Sequence, residues 1–161
     1  MQIMNQSNTR DRFRALIGDV VTAIAGKPLD PALQQQLNSQ FPAGGEVFAN
    51  IFGACQAGIA EGWMCEREGG GIRYGRVYKP TPELSGFSVD VVDMNAIKGP
   101  HHRHPNGEID MIMPVDGQAQ FDGNGAGWLV YGAGSAHFPT VSGGRALVLY
   151  LLPQGAIEFT R

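Results

Sequence analysis

The residues that could do chemistry gather in one stretch of this 161-residue chain: its four histidines are His101, His102, His104 and His137, with Glu108 among them. Imidazole nitrogens and a carboxylate oxygen form a mixed ligand set of the kind that holds divalent Fe, Mn, Ni, Co or Zn. His102 and His104 are two apart, so on a strand both rings leave the same face. Pro105-Asn106-Gly107 places turn chemistry directly after them. Glu108 then opens a returning strand, near enough to meet both rings. His137 arrives on a later strand, behind the glycine-rich Gly132-Ala133-Gly134. The expectation is one divalent transition metal held by His102, His104, Glu108 and His137. Such a set leaves two adjacent positions of an octahedral ion for water or substrate, and it does not choose among the metals. The simpler alternative is a solvated histidine-rich turn; His137, reaching the same place from elsewhere in the chain, weighs against it. His101 has the opposite parity and belongs at the surface or behind the ligands.

Further residues could shape a pocket around such an ion. Between Ile72 and Tyr78 the alternation puts Ile72, Tyr74, Arg76 and Tyr78 on one face and Arg73, Val77 and Lys79 on the other. If the first set points inward, Arg76 can grip a substrate carboxylate in a bidentate contact, with Tyr74 and Tyr78 as further substrate-binding residues. The alternative is that these arginines are edge or surface charges. Asp110 shares the parity of Glu108 and is the candidate catalytic carboxyl. As a general acid it needs a raised pKa; otherwise it orients the ligands. Met111 and Met113 have the other parity and read as packing.

The elements that must position these residues fall into two kinds, dividing near Gly69. Before it the pattern is helical. Phe13, Leu16, Ile17, Val20, Val21 and Ile24 recur at spacings of three and four, which predicts a helix over 12–24. Asp30-Pro31 reads as an N-cap with proline at the first helical position, opening a second helix that runs to about Gln40. A third is expected over 46–61, burying Val47, Ile51, Phe52 and Ile59. After Gly69-Gly70-Gly71 short strands take over, at 72–78, 87–92, 109–115, 119–121, 128–131, 136–141, 146–152 and 157–160. About eight strands bounded by Gly, Pro, Asn or Asp predict a closed barrel or jelly roll. The expected organisation is a helical lead-in, residues 1–68, packed on a β-barrel, residues 69–161, in one structural domain.

Composition narrows the function classes. Hydrophobic residues make up 43% of the chain and charged residues 17%, as in a folded globular protein. The net charge of −3 and the lack of any basic run argue against nucleic acid and anionic membranes as partners. Two cysteines, Cys55 and Cys65, make no disulfide framework. The polar start Met1-Gln2-Ile3-Met4-Asn5-Gln6 lacks the apolar segment of a secretory signal, so a cytoplasmic location is expected.

The segment Gly99-Pro100-His101-His102-Arg103-His104-Pro105-Asn106-Gly107-Glu108 resembles the first cupin motif, glycine then His-x-His and, after three residues, Glu. Gly134-Ser135-Ala136-His137 resembles the end of the second. Gly132 stands where that family usually has proline, Val141 where it has asparagine, and the glycine after Glu108 comes late, at Gly117. The resemblance covers about residues 72–160 and implies a cupin-type double-stranded β-helix with the four ligands above.

Over the whole chain, the helical lead-in, Gly69-Gly70-Gly71-Ile72-Arg73-Tyr74-Gly75-Arg76-Val77-Tyr78 and the stretch from His101 to Pro114 resemble the small bacterial 4-hydroxylaminobenzoate lyases of nitroaromatic degradation. That resemblance implies conversion of 4-hydroxylaminobenzoate to 3,4-dihydroxybenzoate with release of ammonia, the metal acting as Lewis acid on the hydroxylamine oxygen. It also implies a small aromatic acid as partner. Cupins often dimerise, so a homodimer or higher oligomer is expected. The same ligands would serve an Fe or Mn dioxygenase or an isomerase acting on a small aromatic or polar acid; oxygen consumption separates the former from a lyase. A non-catalytic ligand-binding cupin is the third reading, against which stands the retention of all four ligands.

Overall fold

The computed structural model describes residues 5–160, with side chains from Asn8 onward. Helix α1 (Asn5–Ile24) starts earlier than its apolar periodicity requires and buries Phe13, Ile17, Val20, Val21 and Ile24. Helix α2 (Pro31–Gln40) begins as expected: Asp30 is extended and its Oδ1 accepts the Leu33 N–H at 2.9 Å. Helix α3 (Glu46–Glu61) stops at Gly62, whose φ of +88° suits a residue without a side chain. Its buried face differs from the expected one. Phe48, Ile51, Ala54, Cys55 and Gly58 are buried, whereas Val47, Phe52 and Ile59 are only partly so. The face is set by two tryptophans: Phe48 meets Trp128 edge-on at 6.2 Å, and the Trp63 ring lies against Gly58. Cys55 and Cys65 are buried free thiols.

The strands are β1 (Arg67–Gly69), β2 (Ile72–Tyr78), β3 (Phe87–Lys98), β4 (His102–His104), β5 (Glu108–Pro114), β6 (Gln120–Phe121), β7 (Gly127–Tyr131), β8 (Ser135–His137), β9 (Thr140–Pro153) and β10 (Glu158–Phe159). The large sheet has the order β1-β2-β3-β9-β5-β7, with β6 beside β9; the small one is β10-β4-β8. All pairings are antiparallel. This is the cupin-type jelly roll with its helical lead-in. Strand β1 is not among those expected, β3 runs past the expected 87–92 to Lys98, and two further boundaries differ. The strand expected over 136–141 is broken at Phe138-Pro139, which sends β8 to the small sheet and β9 to the large one. The strands expected on either side of Gly143-Gly144 are one, because those glycines do not form a turn. At Gly144 they admit the Asp116 carboxylate, which a Cβ would meet at 2.6 Å.

The two faces of the large sheet have separate cores. Val89, Val91, Ile109, Met111, Met113, Leu147, Leu149 and Leu151 pack with the helices. Ile112, Phe121, Val141, Val148, Tyr150 and Leu152 fill the barrel. Helix α2 also covers the open edge of β7. The Asn38 side chain accepts from the Trp128 N–H at 2.8 Å and donates to its carbonyl at 2.9 Å, and Gln34 Oε1 accepts the Val130 N–H at 2.9 Å. Backbone groups left bare by the sheet are thereby paired.

Pairing also decides where β2 points. Arg76 pairs with Asp90, but Tyr78 pairs with Val89, so a bulge lies between them. The extra residue turns Tyr78 to the helical side, where its ring stacks on Phe13 at 6.0 Å and its hydroxyl donates to the Arg10 carbonyl at 3.5 Å. The expectation that Tyr78 shares the face of Arg76 is therefore corrected.

Candidate metal centre and its surroundings

Period-two alternation and one turn bring four ligand side chains together. His102 and His104 leave the same face of β4, His137 lies directly across from His102 on β8, and Glu108 begins β5. One ligand atom from each residue lies within 4.8 Å of the others. Glu108 Oε1 is 3.0 Å from His104 Nε2 and 3.5 Å from His102 Nε2, and Oε2 is 3.7 Å from His137 Nε2. The three first residues are buried, and His137 nearly so.

The neighbours of two histidines settle which nitrogen faces inward. Ser135 Oγ donates its single hydrogen to the Gly132 carbonyl at 2.7 Å. It must therefore accept from His104 Nδ1–H, 2.9 Å away, which leaves a lone pair on His104 Nε2. Asp122 Oδ2 accepts from His137 Nδ1–H at 2.5 Å, so His137 Nε2 is likewise a bare acceptor. That atom lies 3.1 Å from His102 Nε2. His104 Nε2 and both Glu108 oxygens are buried without a hydrogen-bond partner. Lone pairs and a carboxylate converging at a buried site are costly unless a cation completes them. The residues present fit a divalent transition metal, with the His104 and His137 rings oriented from behind.

Asp122 escapes a reading of the sequence. It follows Phe121 at a tight turn, in the left-handed region at φ +50°. Its carboxylate takes the His137 N–H, the Tyr131 hydroxyl at 2.5 Å and the Thr140 N–H at 2.9 Å. Burial alone would raise its pKa; those three donors outweigh burial and hold it below the ordinary carboxylate range. Asp-Gly in the run 122–125 was the available signal, but it denotes only a turn.

The interior face carries a row of further polar groups. Arg76, Asp90, Tyr150, Asp110 and Leu129 pair in succession across β2, β3, β9, β5 and β7. Asp110 is wholly buried, with its carboxyl against that of Glu108. Burial, then the Glu108 charge, pushes its carboxyl well above the usual range. Arg76 has the expected inward parity, but its bidentate partner is Asp90, through Nε at 2.8 Å and Nη2 at 3.3 Å; Nη2 also donates to the Gly155 carbonyl. Burial raises the Asp90 pKa despite that partner. Tyr74 is 40% exposed at the start of the same face, and His101 lies outside the ligand group, its Nδ1 against the Thr160 hydroxyl.

Residues 15–159 match the family described as PnbB, 4-hydroxylaminobenzoate lyase. The chain belongs to the 4-hydroxylaminobenzoate lyase family. Within it, this member is 33% identical to a 4-hydroxylaminobenzoate lyase of Nocardioides sp. (strain LMS-CY) over 79% of its own length and 80% of the relative's. It is 30% identical to the 4-hydroxylaminobenzoate lyase of Pseudomonas putida, over 94% and 96%. Among solved structures, an acetylacetone dioxygenase from Acinetobacter johnsonii overlaps it with a TM-score of 0.44 and 16% identity, over 58% of this chain and 66% of that one. No helix among the described residues is long and apolar enough to cross a membrane.

Proposed function

We propose that this family member is a metal-dependent lyase converting 4-hydroxylaminobenzoate and water to 3,4-dihydroxybenzoate and ammonia. The observation that carries the reading is the ligand group itself: two imidazoles preset by Ser135 and Asp122, a third beside them, and an unpartnered buried carboxylate. His102, His104, Glu108 and His137 would hold the ion, which supplies Lewis acidity toward the hydroxylamine oxygen when bound.

The chain's own residues supply the rest. Loss of hydroxide from nitrogen leaves an electron-poor ring; water adds to the carbon beside the nitrogen, and a second water replaces the imine nitrogen as ammonia. The departing hydroxide takes up a proton, so the net reaction consumes one water. Asp110, a buried carboxyl on the interior face next to Glu108 along β5, is the residue to carry that proton. Arg76 has the parity of that interior but stands partly exposed at its rim; its Nη1 makes no hydrogen bond among the described residues and would meet the ring carboxylate. Asp90 fixes the direction of its guanidinium through the two-point contact.

Elemental analysis of the purified protein, followed by ammonia release from 4-hydroxylaminobenzoate under anaerobic conditions, tests the reading. One divalent ion per chain and turnover without oxygen are expected. His102→Ala should lose both metal and turnover; retained turnover without metal refutes the proposal. Stoichiometric oxygen uptake would instead identify a dioxygenase.

A further inference from the structure

An apolar side chain on the ligand side of the small sheet is left largely exposed among the described residues. Phe159 on β10 pairs directly with His102, which pairs with His137 on β8. Residues opposite one another in antiparallel strands point to the same side, so Phe159 faces the ligand side of the sheet. The alternate row confirms the assignment: Arg103 and Glu158, one position away, form a 3.0 Å ion pair on the other side. The Phe159 ring stands 5.7 Å from the His102 ring at 70°, while the ring of Tyr150 approaches His102 at 6.3 Å. Tyr150 is buried, yet Phe159 is 67% exposed. The other strongly exposed phenylalanine, Phe138, already holds the His101 ring and the Lys98 ammonium.

We infer that Phe159 is the aromatic wall against which the ring of the substrate lies, and so a determinant of selectivity for flat aromatic acids. The inference rests on the proposed reaction only for the identity of that ring. β10 is an edge strand, so a planar molecule can approach Phe159 from the open side. Ring-to-ring contact adds to the burial of apolar area, and together these set the expected size of the effect.

The test uses 4-hydroxybenzoate, an aromatic acid without an N–O bond, titrated calorimetrically into the metal-loaded protein. Phe159→Ala should weaken binding about tenfold, and Phe159→Tyr should stay within about twofold of the parent. Metal content and sedimentation behaviour should match the parent in both variants. Equal affinity of Phe159→Ala and parent, or no binding by the parent, overturns the inference. So does a loss accompanied by loss of metal, which means a structural role, or by a change of oligomeric state, which means that a second copy covers the ring. Ammonia release from 4-hydroxylaminobenzoate is measured in parallel. Its absence in the parent, with the tenfold binding effect intact, refutes the reaction and leaves the wall standing.

Discussion

The two sides of the large sheet are built from the same strands by alternate residues, and they do opposite work. On β5, Ile109, Met111 and Met113 face the helices, while Glu108, Asp110 and Ile112 face the barrel interior, and all six are buried. β9 repeats the pattern with Leu147, Leu149 and Leu151 against Val148, Tyr150 and Leu152. The helical side gains stability from burial. The interior side holds carboxylates that burial disfavours and that a cation must offset. Stability and reactivity are thus separated by one residue of register.

That separation can be broken experimentally. The largest effect is expected from Glu108→Ala, which should weaken metal binding by more than about a hundredfold. The metal-free variant should be at least as stable to thermal unfolding as the metal-free parent, because an uncompensated buried carboxylate has gone. A collapse of the metal-free variant would mean that the interior side is also structural. Met111→Ala, three residues along the strand, should do the reverse. It should cost about 2–5 kcal/mol in urea unfolding and leave one metal per folded chain.

Smaller changes sharpen the contrast. Asp122→Asn removes the anionic acceptor behind His137 and should lower metal affinity about 10- to 100-fold in a chelator competition, with little change in helix content. Asp30→Ala should lower stability by about 1 kcal/mol through the lost Leu33 contact, and metal binding should not change.

The ligand group was legible because its signals are local: a two-residue spacing, a turn, and a histidine behind a glycine-rich run. The second helix was legible for the same reason, from Asp30 and Pro31. What could not be read depends on pairing across the sheet. The bulge that diverts Tyr78 leaves no compositional mark, since Val77 and Tyr78 suit either side of a strand. Asp122 is separated by fifteen residues from the imidazole it orients, and an Asp before Gly has the same appearance in any turn. The bidentate partner of Arg76 was hidden likewise, because Asp90 is adjacent only after β2 and β3 have paired. The rotated face of α3 depends on two tryptophans outside the helix.

The clamp of α2 on β7 has a consequence for how the chain reaches its native state. Asn38 is synthesised ninety residues before Trp128, the backbone it must pair with. The helices can form early from local interactions, but their polar side chains have no strand to hold until nearly the whole barrel has been made. Closure of that edge is therefore a late event. Until then the nascent sheet presents a bare strand margin on which another unfinished chain can pair.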